Sequence, residues 1–127
     1  MEKLQDQFVC VVDDDAAVRD SLRVLLESHG LVVRDYASAS EFLKDTTSEL
    51  AGCLLLDLHM PEMDGLHLLE KLRQQNITTV TVIITGRGDG ALRARAQRAG
   101  ALAFLDKPVD EDELLSTIAL AFRQSRH

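Results

Sequence analysis

Phe8-Val-Cys-Val-Val-Asp-Asp-Asp15 is an unbroken apolar run that ends abruptly in three acids. A strand with no polar alternation has no wet face, and strands buried on both sides belong to parallel sheets clothed by helices. The pattern returns downstream. Cys53-Leu-Leu-Leu56 stops at Asp57, Val80-Thr-Val-Ile-Ile84 at Thr85-Gly86, and the run from Ala101 to Leu105 at Asp106-Lys107-Pro108. Leu31 to Tyr36 reads as a weaker strand, second in chain order, whose end at Tyr36-Ala37 offers little chemistry. Helical spacing fills the intervals. Val18, Leu22, Leu25 and Leu26 recur on one face until Gly30, and Ser38-Ala-Ser-Glu41 has the form of a capping box ahead of Phe42 and Leu43. Gly65 leads into Leu68, Leu69 and Leu72, an arginine-rich helix runs from Ala91 to Ala99 before Gly100, and Asp110 caps a helix with Glu113 at its third position and Leu114, Leu115, Ile118 and Phe122 along one face. Five βα units in succession predict an α/β fold, a doubly wound five-stranded parallel sheet, because parallel strands need crossover connections and those place helices on both faces.

Composition agrees. At 127 residues, with 46% apolar and 28% charged, the chain reads as one globular domain. Aromatics at 4% and no Trp leave the core to aliphatic side chains. Fourteen basic against twenty-one acidic residues give a net charge of −7, which argues against direct binding of nucleic acid or an anionic membrane. No stretch is long and apolar enough to span a bilayer and Met1 to Gln7 is unlike a signal peptide, so the expected location is the cytoplasm. Cys10 and Cys53 each sit in an apolar run and read as buried thiols rather than a disulfide or metal pair. Arg123-Gln-Ser-Arg-His127 reads as a fraying helix end or the start of a severed linker.

In open parallel sheets, ligands bind beyond the carboxyl ends of the strands. The strand ends supply Asp13 and Asp14, Asp57, Thr85 and Lys107: three carboxylates, a hydroxyl and an ammonium drawn to one edge from distant segments. Crowded carboxylates raise one another's pKa unless a cation intervenes. Oxygen ligands without imidazole or thiolate favour Mg2+, or Mn2+ in its place. A carboxylate can also attack phosphorus to form an aspartyl phosphate. Such transfer needs in-line positioning, a metal, and donors to the equatorial oxygens. Asp15 reads only as the N-cap or a first-turn acid of the first helix.

Val11-Val-Asp-Asp-Asp15, Leu56-Asp-Leu-His-Met-Pro61 followed by Asp64-Gly65, Ile84-Thr-Gly86 and Asp106-Lys-Pro108 resemble, in order and spacing, the receiver domain of two-component response regulators. The resemblance covers essentially the whole chain. It implies a receiver over residues 1–127 with the flavodoxin-like strand order 2-1-3-4-5. It implies that Asp57 is the phosphoacceptor, served by a sensor histidine kinase. Magnesium is then held by Asp13, Asp14, Asp57 and the backbone carbonyl of His59, with Asp14 a more direct ligand than Asp13. Thr85 and Lys107 become the phosphoryl-sensing hydroxyl and cation, and Phe104 the aromatic switch. The resemblance also implies a cis Lys107-Pro108 bond, and a phosphoryl lifetime set by His59 and Arg87 beside the path of water. Such a domain is a signalling switch, not an enzyme, promoting only its own phosphorylation and dephosphorylation. Thr85-Gly-Arg-Gly-Asp89 further resembles the FixJ-like branch, whose receivers precede a helix-turn-helix DNA-binding domain that these residues do not include.

Two other functions fit parts of the sequence. Gly86-Arg-Gly88-Asp-Gly-Ala91 matches a dinucleotide-binding fingerprint, with Asp106 at the end of the next strand, but too little chain follows for a second mononucleotide half. A phosphatase working through an aspartyl phosphate would share the chemistry. It would normally carry a carboxylate two residues after the nucleophile, where His59 stands, and a cap for which there are no spare residues. For output, Arg93, Arg95 and Arg98 on helix 4 and the acids Asp110 to Glu113 at the start of helix 5 suggest a self-complementary homodimer through the helix 4–strand 5–helix 5 face, strengthened by phosphorylation.

Overall fold

β1 (Phe8–Val12) lies between β2 (Val32–Tyr36) and β3 (Cys53–Asp57), and β4 (Thr81–Thr85) and β5 (Ala103–Asp106) extend the parallel sheet to the order β2-β1-β3-β4-β5. These elements come from a computed structural model that describes residues 7–45, 47–60, 65–86 and 90–125, Glu49 by its backbone alone. The helices are α1 (Ala16–Ser28), α2 (Ala39–Lys44), α3 (Gly65–Gln74), α4 (Gly90–Arg98) and α5 (Glu111–Gln124), and a short 3-10 turn, Ser48–Leu50, precedes β3. β4 is followed by α4, β5 and α5, which complete the one five-stranded sheet.

The strict period of two along each strand divides the core. Phe8, Cys10, Val12, Leu54, Leu56 and Ile83 pack on one face with Phe42 of α2, Leu68, Leu69 and Leu72 of α3 and Ala96 of α4. Val9, Val11, Cys53, Leu55, Val82 and Ile84 pack on the other with Leu26 of α1 and Leu114, Ile118 and Phe122 of α5. Of the α1 stripe only Leu26 is fully buried; Leu22 and Leu25 are partly covered. Cys10 and Cys53 therefore face opposite sides of the sheet, both as free thiols. Burial pushes the Cys10 thiol up to about 11 and Cys53 higher still, which keeps both protonated and unreactive.

The capping residues act as their sequence positions suggest. Ser38 accepts from the Glu41 N–H, and Asp110 from the Glu113 N–H. Asp15 accepts from the N–H groups of Ala17 and Val18. Three helices close with the same pair of backbone bonds, each around a residue at positive φ: Gly30 (80°), Asn76 (60°) and Gly100 (100°). Leu31 donates to Leu26, Ile77 to Leu72 and Ala101 to Ala96, the six-to-one bond of a Schellman ending. This closure explains why β2 and β5 start later than their apolar runs. The amides of Leu31 and Ala101 are still committed to the preceding helix, so pairing begins at Val32 and, after Leu102 has bonded to Thr81, at Ala103.

Tyr36 does more than the sequence suggests. Its ring meets Phe42 edge-on, 5.5 Å between centroids, and its hydroxyl donates to Asp45 Oδ2 at 2.7 Å. Asp45 also accepts from the backbone and hydroxyl of Thr47, and these bonds, the Tyr36 one foremost, hold its carboxyl down to about 2. A carboxylate depressed below its ordinary 3.8 adds stability above that value, and the contribution is lost as pH falls through about 2. Asp45→Asn is expected to lower stability at neutral pH and to flatten its decline across that acid window. Denaturant unfolding at a series of pH values reads both effects.

Candidate functional site

Strand order makes neighbours of four strand ends. β1, β3, β4 and β5 lie side by side, so Asp13 just past β1, Asp57 closing β3, Thr85 closing β4 and Lys107 just past β5 meet along one edge. Asp13 is 3% exposed, Asp57 6% and Thr85 0%, whereas Asp14 is exposed. Carboxylate oxygens of Asp13, Asp14 and Asp57 lie within 4.8 Å of one another. Lys107 Nζ sits 3.3 Å from Asp13 Oδ2 and 3.6 Å from Asp57 Oδ1. Its own N–H donates to the Thr85 carbonyl at 2.8 Å, and the Lys107-Pro108 bond is cis, as the resemblance implied.

Burial, then repulsion from Asp13, pushes the Asp57 carboxyl above its ordinary range, against the pull of Lys107 and of the His59 N–H. For Lys107 burial acts to lower the ammonium's pKa, but attraction to Asp57 and Asp13 outweighs it and the net shift is upward. Three carboxylates thus face one ammonium, and the excess negative charge is what a divalent cation would relieve. The donors are hard oxygens, with no imidazole or thiolate among the clustered groups, so Mg2+ or Mn2+ fits the residues present.

The remaining sequence candidates are placed as follows. His59 is exposed, with its N–H toward Asp57. Asp64 and Arg87 lie outside the described residues. Ile83 pairs with Phe104 across β4 and β5, so Thr85, two residues on, shares Phe104's face of the sheet. Phe104 is half-buried, and Arg93 of α4 covers its ring, Cζ 4.5 Å from the centroid. The same guanidinium donates to the Phe104 carbonyl at 3.3 Å and pairs with Asp106 at 3.4 Å. Arg95 instead turns to α3, 3.7 Å from Glu70, and Arg73 of α3 donates to the Arg98 carbonyl. The α4 arginines therefore do not form one basic patch, because residues two and five apart fall on different sides of a helix. A surface cleft lined by Leu72, Ile77, Val80 and Leu102 holds none of the site groups.

The model of the response regulator receiver domain family matches residues 9–119. This chain belongs to that family. The transcriptional regulatory protein FixJ of Bradyrhizobium diazoefficiens is 40% identical over 117 residues, which cover 92% of this chain and 57% of that protein. Response regulator protein TmoT of Ectopseudomonas mendocina is 40% identical over 119 residues, 94% of this chain and 54% of TmoT. The crystal structure of FixJ-N superposes with a TM-score of 0.84 at 34% identity, covering 97% of this chain and 96% of that one. The receiver domain thus spans a little over half the length of the curated relatives it matches.

Two contributions to this receiver's site were not read from the sequence: the contact of Arg19, and the close approach that Gly65 of the Asp64-Gly65 motif allows. Arg19, six residues past Asp13, donates to the Asp13 carbonyl at 2.7 Å. Gly65 opens α3 directly against the end of β3: a Cβ there would collide with the Asp57 carbonyl oxygen and press on the Leu56 side chain. Gly65→Ala is therefore expected to push α3 from β3 and destabilise the domain by about 1–3 kcal/mol, the usual cost of overpacking. Denaturant unfolding measures the loss, which should exceed that of Gly90→Ala, where the added Cβ meets open space.

Proposed function

We propose that this receiver domain takes a phosphoryl group onto Asp57 from the phosphohistidine of a sensor histidine kinase in the cytoplasm. In a full-length regulator the phosphorylated domain controls a helix-turn-helix DNA-binding output. The observation that carries this reading is the buried Asp57 carboxylate set between two further acids and the ammonium of Lys107. In the transfer, an Asp57 carboxylate oxygen attacks phosphorus, the P–N bond breaks, and its electron pair returns to the donor's imidazole. Magnesium, held by Asp13, Asp14, Asp57 and the His59 carbonyl, supplies charge neutralisation to the phosphoryl oxygens when bound. Lys107 offers its ammonium to the same oxygens, and Thr85 its hydroxyl. Hydrolysis by water returns the free carboxylate and releases phosphate, and we assign the rate of that step to His59 and Arg87.

Phosphate from acetyl phosphate should add to the chain once, and only with a divalent cation present. Intact mass measurement is expected to register a single phosphoryl group on the wild type and none on Asp57→Asn. Equal labelling of that variant would sink the assignment.

The signal leaves by the strand that Thr85 shares with Ile83. Movement of Thr85 toward the phosphoryl oxygens opens space on the face where Phe104 stands, and Phe104 turns inward to fill it. Arg93 loses its stacking partner in that turn and becomes available, with Asp110 to Glu113, to a second copy through the α4–β5–α5 face. Asp110 to Glu113 are exposed, as such an interface needs. Ion pairs of this kind contribute about 0–1 kcal/mol each, so the dimer is weak, salt-sensitive and strengthened by phosphorylation. Sedimentation with and without beryllofluoride tests it: a monomer in both states at high protein concentration rules this route out.

A further inference from the structure

Asp14 is the member of the acid cluster with the least to hold it. It is exposed, lies past the end of β1, and makes no hydrogen bond or ion pair of its own among the described residues. Its position depends on the peptide that joins it to Asp13, and the Asp13 backbone is pinned from two directions. The Asp13 N–H donates to the Tyr36 carbonyl at 3.2 Å, which ties it to the end of β2. The Asp13 carbonyl, which is half of the peptide unit leading into Asp14, accepts from Arg19 Nη1 at 2.7 Å. That length is at the short end for a charge-assisted bond.

Arg19 is itself held. Its side chain is 18% exposed, and its Nε lies 3.8 Å from Asp35 Oδ2. Arg23, one turn further along α1, meets the other oxygen of Asp35 at 3.1 Å and Glu27 at 2.8 Å. Asp35 stands on β2 opposite Val11, two residues before Asp13 in β1 register. The chain of contacts runs from a strand carboxylate, through a guanidinium on the helix, to one carbonyl in the acid-bearing turn.

We infer that Arg19 is a positioning residue of the cation site: held by Asp35, it fixes the Asp13–Asp14 peptide and so the direction in which Asp14 presents its carboxylate. This rests on reading the acid cluster as the magnesium site. Groups outside the ligands that orient them typically change metal affinity 10–100-fold when removed. The sign of the effect separates positioning from plain charge. A guanidinium acting only as a nearby positive charge repels Mg2+, and its loss would tighten binding. A guanidinium that positions Asp14 weakens binding when lost.

Titration calorimetry of Mg2+ into the full chain tests the inference without any phosphorylation step. Arg19→Ala, and Arg19→Met with its apolar stem retained, are expected to bind Mg2+ about 10-fold more weakly than wild type, with Arg19→Lys recovering most of the loss. Arg23→Ala, which removes a partner of Asp35 but no contact to Asp13, is expected to bind as wild type does. Circular dichroism checks that each variant is folded, and the Met variant carries the test if the Ala variant is not. Wild-type or tighter affinity in a folded Arg19→Ala or Arg19→Met variant overturns the inference and leaves the magnesium site standing. A wild-type chain that takes up no Mg2+ overturns the magnesium reading and this inference with it.

Discussion

Two carboxylates, Asp13 and Asp57, are buried side by side at the ends of adjacent central strands, and much of the upper edge of the sheet is organised by that repulsion. Like charges in a desolvated pocket favour protonation or a cation. Lys107 offsets part of the excess, and its reach is set by a short bond between its own amide and the Thr85 carbonyl. That bond couples β5 to β4 at the point where Thr85 closes its strand. The site is therefore a charge imbalance held in register by backbone bonds. A divalent cation would change the balance by adding positive charge, and the phosphoryl group proposed for Asp57 would change it by replacing a carboxylate with a larger anion.

The scaffold can sustain this imbalance because it is otherwise unambiguous. The central strands β1, β3 and β4 are buried along their length, each feeding alternate residues into two separate cores. A one-residue slip would exchange the two faces entirely, so register is strongly specified. Helix endings at Gly30, Asn76 and Gly100 turn the chain sharply back toward the sheet and fix where β2 and β5 begin pairing. At the upper edge, Gly65 allows α3 to start in contact with the Asp57 backbone, which leaves Asp57 little freedom to withdraw.

Arg93 gives the proposed output face a physical counterpart. Its guanidinium lies over Phe104 and bonds to the β5 carbonyl and Asp106, so any rotation of the ring must break a stacked contact as well as find new space. A cation–π contact of this partly exposed kind contributes about 0.5–1 kcal/mol. That is small enough for the hydroxyl–phosphoryl bond proposed for Thr85 to displace, which would leave the observed position of Phe104 biased rather than locked.

Much of this was legible in the chain alone. Apolar runs ending in Asp13, Asp57, Thr85 and Lys107, with helical spacing between them, determined the parallel α/β architecture and the residues that meet at its edge, because burial periodicity and crossover geometry are local consequences of sequence. Helix starts at Asp15, Ser38 and Asp110 were equally local. Tertiary structure alone decided the rest. Arg93, Arg95 and Arg98 read as one basic patch in sequence, yet helical rotation and their separate partners on β5 and α3 divide them. The tasks of Tyr36, Arg19 and Gly65 depend on what other segments bring to within a few ångströms: Asp45, the Asp13 carbonyl and the Asp57 backbone. A hydroxyl, a guanidinium or a missing Cβ has no spacing rule that reveals such a partner, since the contact exists only once the sheet is paired and its helices are packed.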